Sequence, residues 1–206
     1  GLGVLLGLDR IVSVAFGAGR KDECERATVN GLFLATVIAV PLTIAMHLVA
    51  DRLTLFGVVP EIAVAAGQYT HILAWSLWPT LLFTVLRTSL QAMGDVNAAS
   101  IILILSNIVN VIANQWFIFG GAGVRPLGVE GSAWATLVSR MLMLAAFVSY
   151  VIWRRTFASH VRWRLDGGTL RDLLRLGIPV SAQMSFEVGV FSLATLLCAG
   201  LNSTAS

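Results

Sequence analysis

Charge is what this chain has least of. Only 12% of its 206 residues are Asp, Glu, Lys or Arg, whereas 57% are hydrophobic, and the mean hydropathy is +0.83. Soluble domains carry about 25% charge and about 45–50% apolar residues. An aqueous fold of this length cannot hide so much apolar surface, so the solvent is lipid. Cysteine is also scarce. Cys24 and Cys198 belong to no CxxC and have no neighbouring His, which excludes a metal motif. The topology below puts them on opposite membrane faces, which argues against a disulfide. The three histidines, His47, His71 and His160, are scattered without ligand spacing. No basic stripe interleaved with aromatics is present, which excludes nucleic acid as a partner. Neither a nucleophile–base pair nor a phosphate loop nor paired carboxylates can be found, and Gly121, Gly123 and Gly128 do not match a dinucleotide fingerprint. An enzyme is therefore not expected, nor a cofactor. The chain opens at Gly1 inside an apolar run, with no Met or charged leader, which reads as a fragment starting within a membrane helix.

What the chain does have is long apolar runs. Crossing a bilayer takes about 20 predominantly apolar residues. Five full segments meet that requirement, at 28–50, 69–91, 97–119, 131–153 and 177–201, preceded by a partial one at 1–16. Pro41 and Pro79 interrupt two of them, which in lipid fits a packing kink or a bend beside a cavity. Of the 14 Lys and Arg residues, all but Arg52, Arg125 and Arg140 fall on one side of the resulting topology. The positive-inside rule places that side, with loops 17–27, 91–97 and 154–176, in the cytoplasm. The expected fold class is thus all-α and polytopic, in a bacterial inner membrane. Residues 154–176 form the longest polar connection. Within it Asp166-Gly167-Gly168-Thr169 reads as a turn, and 170–176 as a short amphipathic helix at the membrane surface.

Three features could carry function. Glu187 is the single carboxylate within the otherwise uncharged run 177–201. A charge at the bilayer centre costs about 2.5–3.5 kcal/mol on insertion scales, so it survives where it faces a protein interior or a wet cavity. Asn107, Asn110 and Asn114 lie at i, i+3 and i+7, one face of the span 97–119. They fit a cavity lining or interhelical glue, the latter worth about 0.6 kcal/mol per bond. The next span opens on small residues, from Gly128 through Gly131, Ser132, Ala133 and Ala135, which permit close helix packing, and Thr136 is placed to meet the asparagine face. Arg140 lies roughly 14 Å into that helix at about 1.5 Å per residue, and Glu187 is one candidate partner for it.

The order of several local motifs resembles the multidrug and toxic compound extrusion (MATE) transporters, in their bacterial NorM-like branch. Leu8-Asp9-Arg10 with Ala15-Phe16-Gly17-Ala18-Gly19-Arg20 is similar to the end of that family's second helix and the loop after it. Leu86-Arg87-Thr88-Ser89-Leu90-Gln91-Ala92-Met93-Gly94 resembles the end of the fourth. Asn110 to Asn114 followed by Ile118-Phe119-Gly120 resembles the fifth, and Gly128-Val129-Glu130-Gly131-Ser132-Ala133-Trp134-Ala135-Thr136 the start of the sixth. Leu176-Gly177-Ile178-Pro179 with Phe186-Glu187-Val188 resembles the seventh.

The resemblance implies a twelve-helix protein of two six-helix lobes, about half of it present here. Residues 1–153 would be most of the N-terminal lobe, 154–176 the basic connector between lobes, and 177–206 the first helix of the C-terminal lobe. It further implies a cation-coupled (Na⁺ or H⁺) antiporter, monomeric when complete, that exports cationic or amphipathic drugs by alternating access. Glu187 would be the coupling carboxylate. Asn110, Asn114 and Thr136 would belong to a polar cluster of the N-terminal lobe, where Na⁺ could bind beside an aspartate of a helix preceding Gly1. Two other readings stand beside it: a flippase for lipid-linked substrates of the same superfamily, and a membrane scaffold in which these residues are structural glue.

Overall fold

The computed structural model describes residues 2–53, 60–121, 125–154 and 165–203. Seven helices account for nearly all of them: α1 (Leu2–Gly17), α2 (Lys21–Ala50), α3 (Pro60–Trp75), α4 (Leu77–Ala92), α5 (Val96–Phe119), α6 (Val129–Trp153) and α7 (Gly167–Ser203). Helices α2, α5 and α6 are each long and apolar enough to cross a membrane. Their outer faces carry large apolar side chains in the open, such as Val111 at 68%, Phe119 at 69% and Ile152 at 69% exposure. In water that surface would aggregate; in lipid it is the required coat. The chain is an all-α, multi-pass membrane protein.

Helix α4 is the hub. One side of it, with Leu81 and Val85, packs among Leu8, Val12 and Ala15 of α1, Leu34 and Ala35 of α2, and Leu173 of α7. The other side, with Phe83, Leu86 and Leu90, packs on Ala99 of α5 and on Met143 and Phe147 of α6. Phe83 and Phe147 lie nearly parallel, ring centroids 6.3 Å apart. Polar groups reinforce these seams. Thr28 on α2 donates to Ser89 Oγ on α4 at 2.9 Å.

The helix ends follow from local chemistry. Gly94, at φ 84°, closes α4: its N–H donates to the Gln91 carbonyl, and the Asp95 N–H to that of Leu90. This is the paired-bond stop that needs a left-handed residue. It turns the chain into α5 within three residues. Asp95 is then held from α6, accepting from the Tyr150 hydroxyl at 2.6 Å, with Arg154 at 3.7 Å. At the other end of this helix pair, a Cβ at Gly131 would run into the Phe117 carbonyl. Only glycine lets α5 and α6 approach so closely there, which gives the small-residue start of α6 its physical reason.

Three expectations need adjustment. The span expected at 69–91 is two helices, α3 and α4, and α3 begins earlier, at Pro60. Pro79 has no N–H for the Trp75 carbonyl, and at Ser76 the backbone tightens: its N–H and its hydroxyl both go to the Leu73 carbonyl. The expected loop 17–27 is helical from Lys21 onward, leaving a turn of a few residues. The amphipathic segment 170–176 and the span 177–201 are one helix, α7, running through Pro179. What reads as a turn at 166–169 is its start. Asp166 accepts from the N–H groups of Gly168 and Thr169 and from the Thr169 hydroxyl. These bonds, the hydroxyl's first, hold the Asp166 carboxyl below its ordinary pKa. Its own N–H goes to Asn30 Oδ1, which ties α7 to buried Asn30 on α2. The rest of the connector, 155–164, lies outside the described residues.

The histidines are less scattered than their numbering. His47 Nδ1 on α2 meets His71 Nδ1 on α3 at 2.7 Å, and His71 Nε2 lies 3.0 Å from Asp51. The pair clasps these two helices on the face away from the basic loops. No group of three or more metal-binding side chains forms among the described residues.

Candidate functional site

Helix α5 places Ser106, Asn107 and Asn110 on one face, and that face meets α6. The six residues of α4 and α6 that join them, Phe83, Arg87, Thr136, Ser139, Arg140 and Met143, line a partly open cavity of about 280 Å³ together with Leu103. Asn110 Nδ2 donates across the helix pair to Ser139 Oγ at 3.2 Å. Thr136 lines the same cavity but gives its hydroxyl proton to the Ser132 carbonyl of its own helix. Asn114 folds back on Asn110, donating to its backbone oxygen at 2.9 Å and its side-chain oxygen at 3.1 Å. Asn107 likewise donates to the Leu103 carbonyl. The asparagine face is therefore a network in which much of the hydrogen bonding is local.

Arg140 does not pair with Glu187. Its Nη1 reaches Thr80 Oγ1 at 3.4 Å, and its guanidinium carbon stands 5.7 Å from the Phe83 ring centre. Thr80 is positioned by the bend at Ser76, so the α3–α4 break supplies the only side-chain oxygen that Arg140 touches among the described residues. Helix α7 packs chiefly on α1 and α2. Glu187 lies on an exposed stretch of α7, with Phe186 at 75% and Val188 at 65% exposure on either side. The structure thus brings Asn110, Thr136 and Asn114 into one neighbourhood and leaves Glu187 in another.

The residue that sequence reasoning missed is Arg87. It reads as a charge near a helix end, yet it sits within α4, lines the cavity, and has a buried Nε with no hydrogen-bond partner. The available signal was a lone arginine inside Leu77–Ala92, five residues short of its end. Chemically, this part of the cavity offers amide and hydroxyl dipoles and two guanidiniums, with no carboxylate in its lining. Such a set does not hold a cation by itself.

On the other side of α4 and α6 lies a larger cavity, about 680 Å³, lined by α2, α4 and α6 with Leu32, Phe33, Leu82, Leu86, Leu144 and Val148 among its walls. It is apolar apart from Glu25, Thr28 and Thr36.

Comparison with known proteins gives a consistent picture. A family model described as MatE matches residues 1–116. A probable multidrug resistance protein NorM of Mesorhizobium japonicum is 32% identical over 203 residues, covering 96% of this chain and 44% of that protein. Among solved structures, a MATE protein in complex with MaD3S superposes with a TM-score of 0.80 at 25% identity, over 92% of this chain and 43% of the other. The outward-facing conformation of a multidrug resistance MATE family transporter of the MOP superfamily gives 0.77 at 25% identity, over 92% and 42%. The chain spans less than half the length of these relatives.

Proposed function

The chain belongs to the MATE family, and we propose that it is part of a cation-coupled antiporter that exports cationic or amphipathic drugs across a bacterial inner membrane by alternating access. The observation that carries this reading is the match to a NorM protein over 96% of the chain, with polar residues of α5 and α6 gathered along a partly open cavity between α4, α5 and α6. Scaffold proteins have no need of a polar chamber in lipid, where every buried polar group must find a partner.

In this proposal the coupling ion acts at Glu187. Binding Na⁺ or H⁺ neutralises a costly intramembrane charge, and that shifts the balance between two arrangements of the lobes. A cationic drug competing for the same carboxylate gives exchange by mutual exclusion. A ligand can shift such an equilibrium only by its differential affinity for the two states, and a carboxylate that is wet in one arrangement and enclosed in the other provides that difference. Asn110, Asn114 and Thr136 supply polar contacts to the cargo chamber. Na⁺ bound beside Asn110 and Thr136 would face Arg87 and Arg140, which favours Glu187 as the ion's position.

The test is efflux by the full-length protein carrying Glu187→Gln, in cells with sodium and pH varied separately. Loss of efflux together with loss of its ion dependence is expected. Efflux that keeps both would overturn the assignment.

A further inference from the structure

Helix α3 is divided from α4 at Ser76, and among the described residues few polar contacts hold it to α2. His47 Nδ1 lies 2.7 Å from His71 Nδ1, with the rings stacked at 5.0 Å between centroids. The Thr43 hydroxyl adds one long bond to the Ala74 carbonyl, at 3.5 Å. Trp75, the last residue of α3, stands edge-on to His47 at 5.8 Å. His71 Nε2 lies 3.0 Å from the Asp51 carboxylate, which places a proton on that nitrogen. Two ring nitrogens at 2.7 Å form a hydrogen bond only if one carries a proton and the other a lone pair. With His71 neutral, its Nδ1 is bare and accepts from His47. With one proton added, His71 Nδ1–H donates to His47 instead. With two added, both Nδ1 atoms carry protons, the bond is lost, and two like charges are left in contact. The joined rings hold one positive charge at most, whereas two separated imidazoliums hold two. This limit depends on the two nitrogens alone.

By linkage, the state that binds more protons gains as pH falls, and here that state is the released one. The Asp51 carboxylate meets Nε2, so it offers no acceptor to the second Nδ1 proton. The other charged or titratable groups described at this end of α2, α3 and α6 are Arg52, Tyr69, Arg125 and Glu130, and none of them bonds to either ring. Arg140, deeper on α6, is turned to Thr80. The His71 side chain is 39% exposed, so protons reach it from water. Helix α4 stays anchored in the bundle by Leu81 and Val85, and α3 also packs on α6. Losing the histidine bond therefore opens the seam between α2 and α3 and leaves the core in place. We propose that His47 and His71 form a proton-operated clasp: acid on the face away from the basic loops releases α3 from α2, with the break at Ser76 letting α3 move apart from α4. Histidine changes charge between about pH 5 and 8, which sets the range over which the clasp works.

The experiment places spin labels at Val37 on α2 and Ile62 on α3, both exposed, in the full-length protein with no other cysteine. Distances are read in nanodiscs of neutral lipid at about pH 8 and about pH 5. One narrow distance is expected at the higher pH, and a second, longer population of half or more at the lower. His47→Phe and His71→Phe, which keep a ring and lose the proton, should give the same distribution at both. Glu187→Gln, which removes the carboxylate assigned to ion coupling, should keep the pH effect, so failure of that assignment and failure of the clasp are distinct. A second readout needs no variant of the pair. Nitrogen-15 spectra of histidine-labelled wild type should show a coupling across the N–H···N bond at the higher pH and its loss at the lower. The clasp would be overturned by a wild-type distance that ignores pH, by a pH effect that persists in both phenylalanine variants or vanishes in Glu187→Gln, or by a nitrogen coupling that is absent at the higher pH or survives at the lower.

Discussion

The two faces of the α4–α6 pair solve different problems with neighbouring residues. Toward α5, the pair presents Phe83, Arg87, Thr136, Ser139, Arg140 and Met143, and the cavity there is small and polar. Toward α2, it presents Leu82, Leu86, Leu144, Val148, Val151 and Ile152, and the cavity is larger and almost wholly apolar. On α4 the two linings interleave: Leu82 beside Phe83, Leu86 beside Arg87. Adjacent residues on a helix point about 100° apart, so one turn serves both chambers. The apolar side asks nothing of its occupant but lipid-like chemistry. The polar side leaves donors unspent, and unspent donors in lipid are where function is expected.

Breaking the packing between these faces gives the largest effect. Phe147 is fully buried against Phe83, so Phe147→Ala is expected to cost about 3–5 kcal/mol, read as a lower unfolding midpoint in detergent. Gly131→Ala comes next. The new methyl meets the Phe117 carbonyl and pushes α5 off α6, at about 1–3 kcal/mol by overpacking, and cysteine crosslinking between the two helices should report their separation. Asn110→Ala is smaller still in stability, about 0.6 kcal/mol for the bond to Ser139.

The smallest effect lies outside the membrane. Asp166 binds the first N–H groups of α7 as a carboxylate, and its folded pKa is lowered by those bonds. Its contribution is therefore full above the ordinary unfolded carboxylate pKa, about 3.9, and is lost as pH falls through the lower folded value. Amide exchange at Gly168 and Thr169 should quicken across that acid window, and Asp166→Ala should show the faster exchange already at neutral pH.

Apolar periodicity and length made most of the bundle legible. The span expected at 97–119 corresponds to α5 at Val96–Phe119, and that at 131–153 to α6 at Val129–Trp153. What a hydropathy window cannot show is where a helix continues into water, as α2 does back to Lys21 and α7 back to Gly167. Nor does it show that Pro79 divides a span, because that depends on which carbonyl Ser76 takes. For the candidate site, spacing put Asn107 and Asn110 on one face, and both line the cavity. Asn114 turns away along its own helix. Arg87 and the true neighbours of Arg140 depend on how α4 packs against α6, which no local pattern encodes.

The most direct measurement of the central claim is drug efflux by the full-length protein with Asn110→Ala on the polar face, set beside Val148→Ala on the apolar one, at matched expression. The account predicts at least a tenfold loss of efflux for Asn110→Ala despite its small stability cost, and near wild-type efflux for Val148→Ala. Unimpaired efflux with Asn110→Ala, or an equal loss from both, would contradict it.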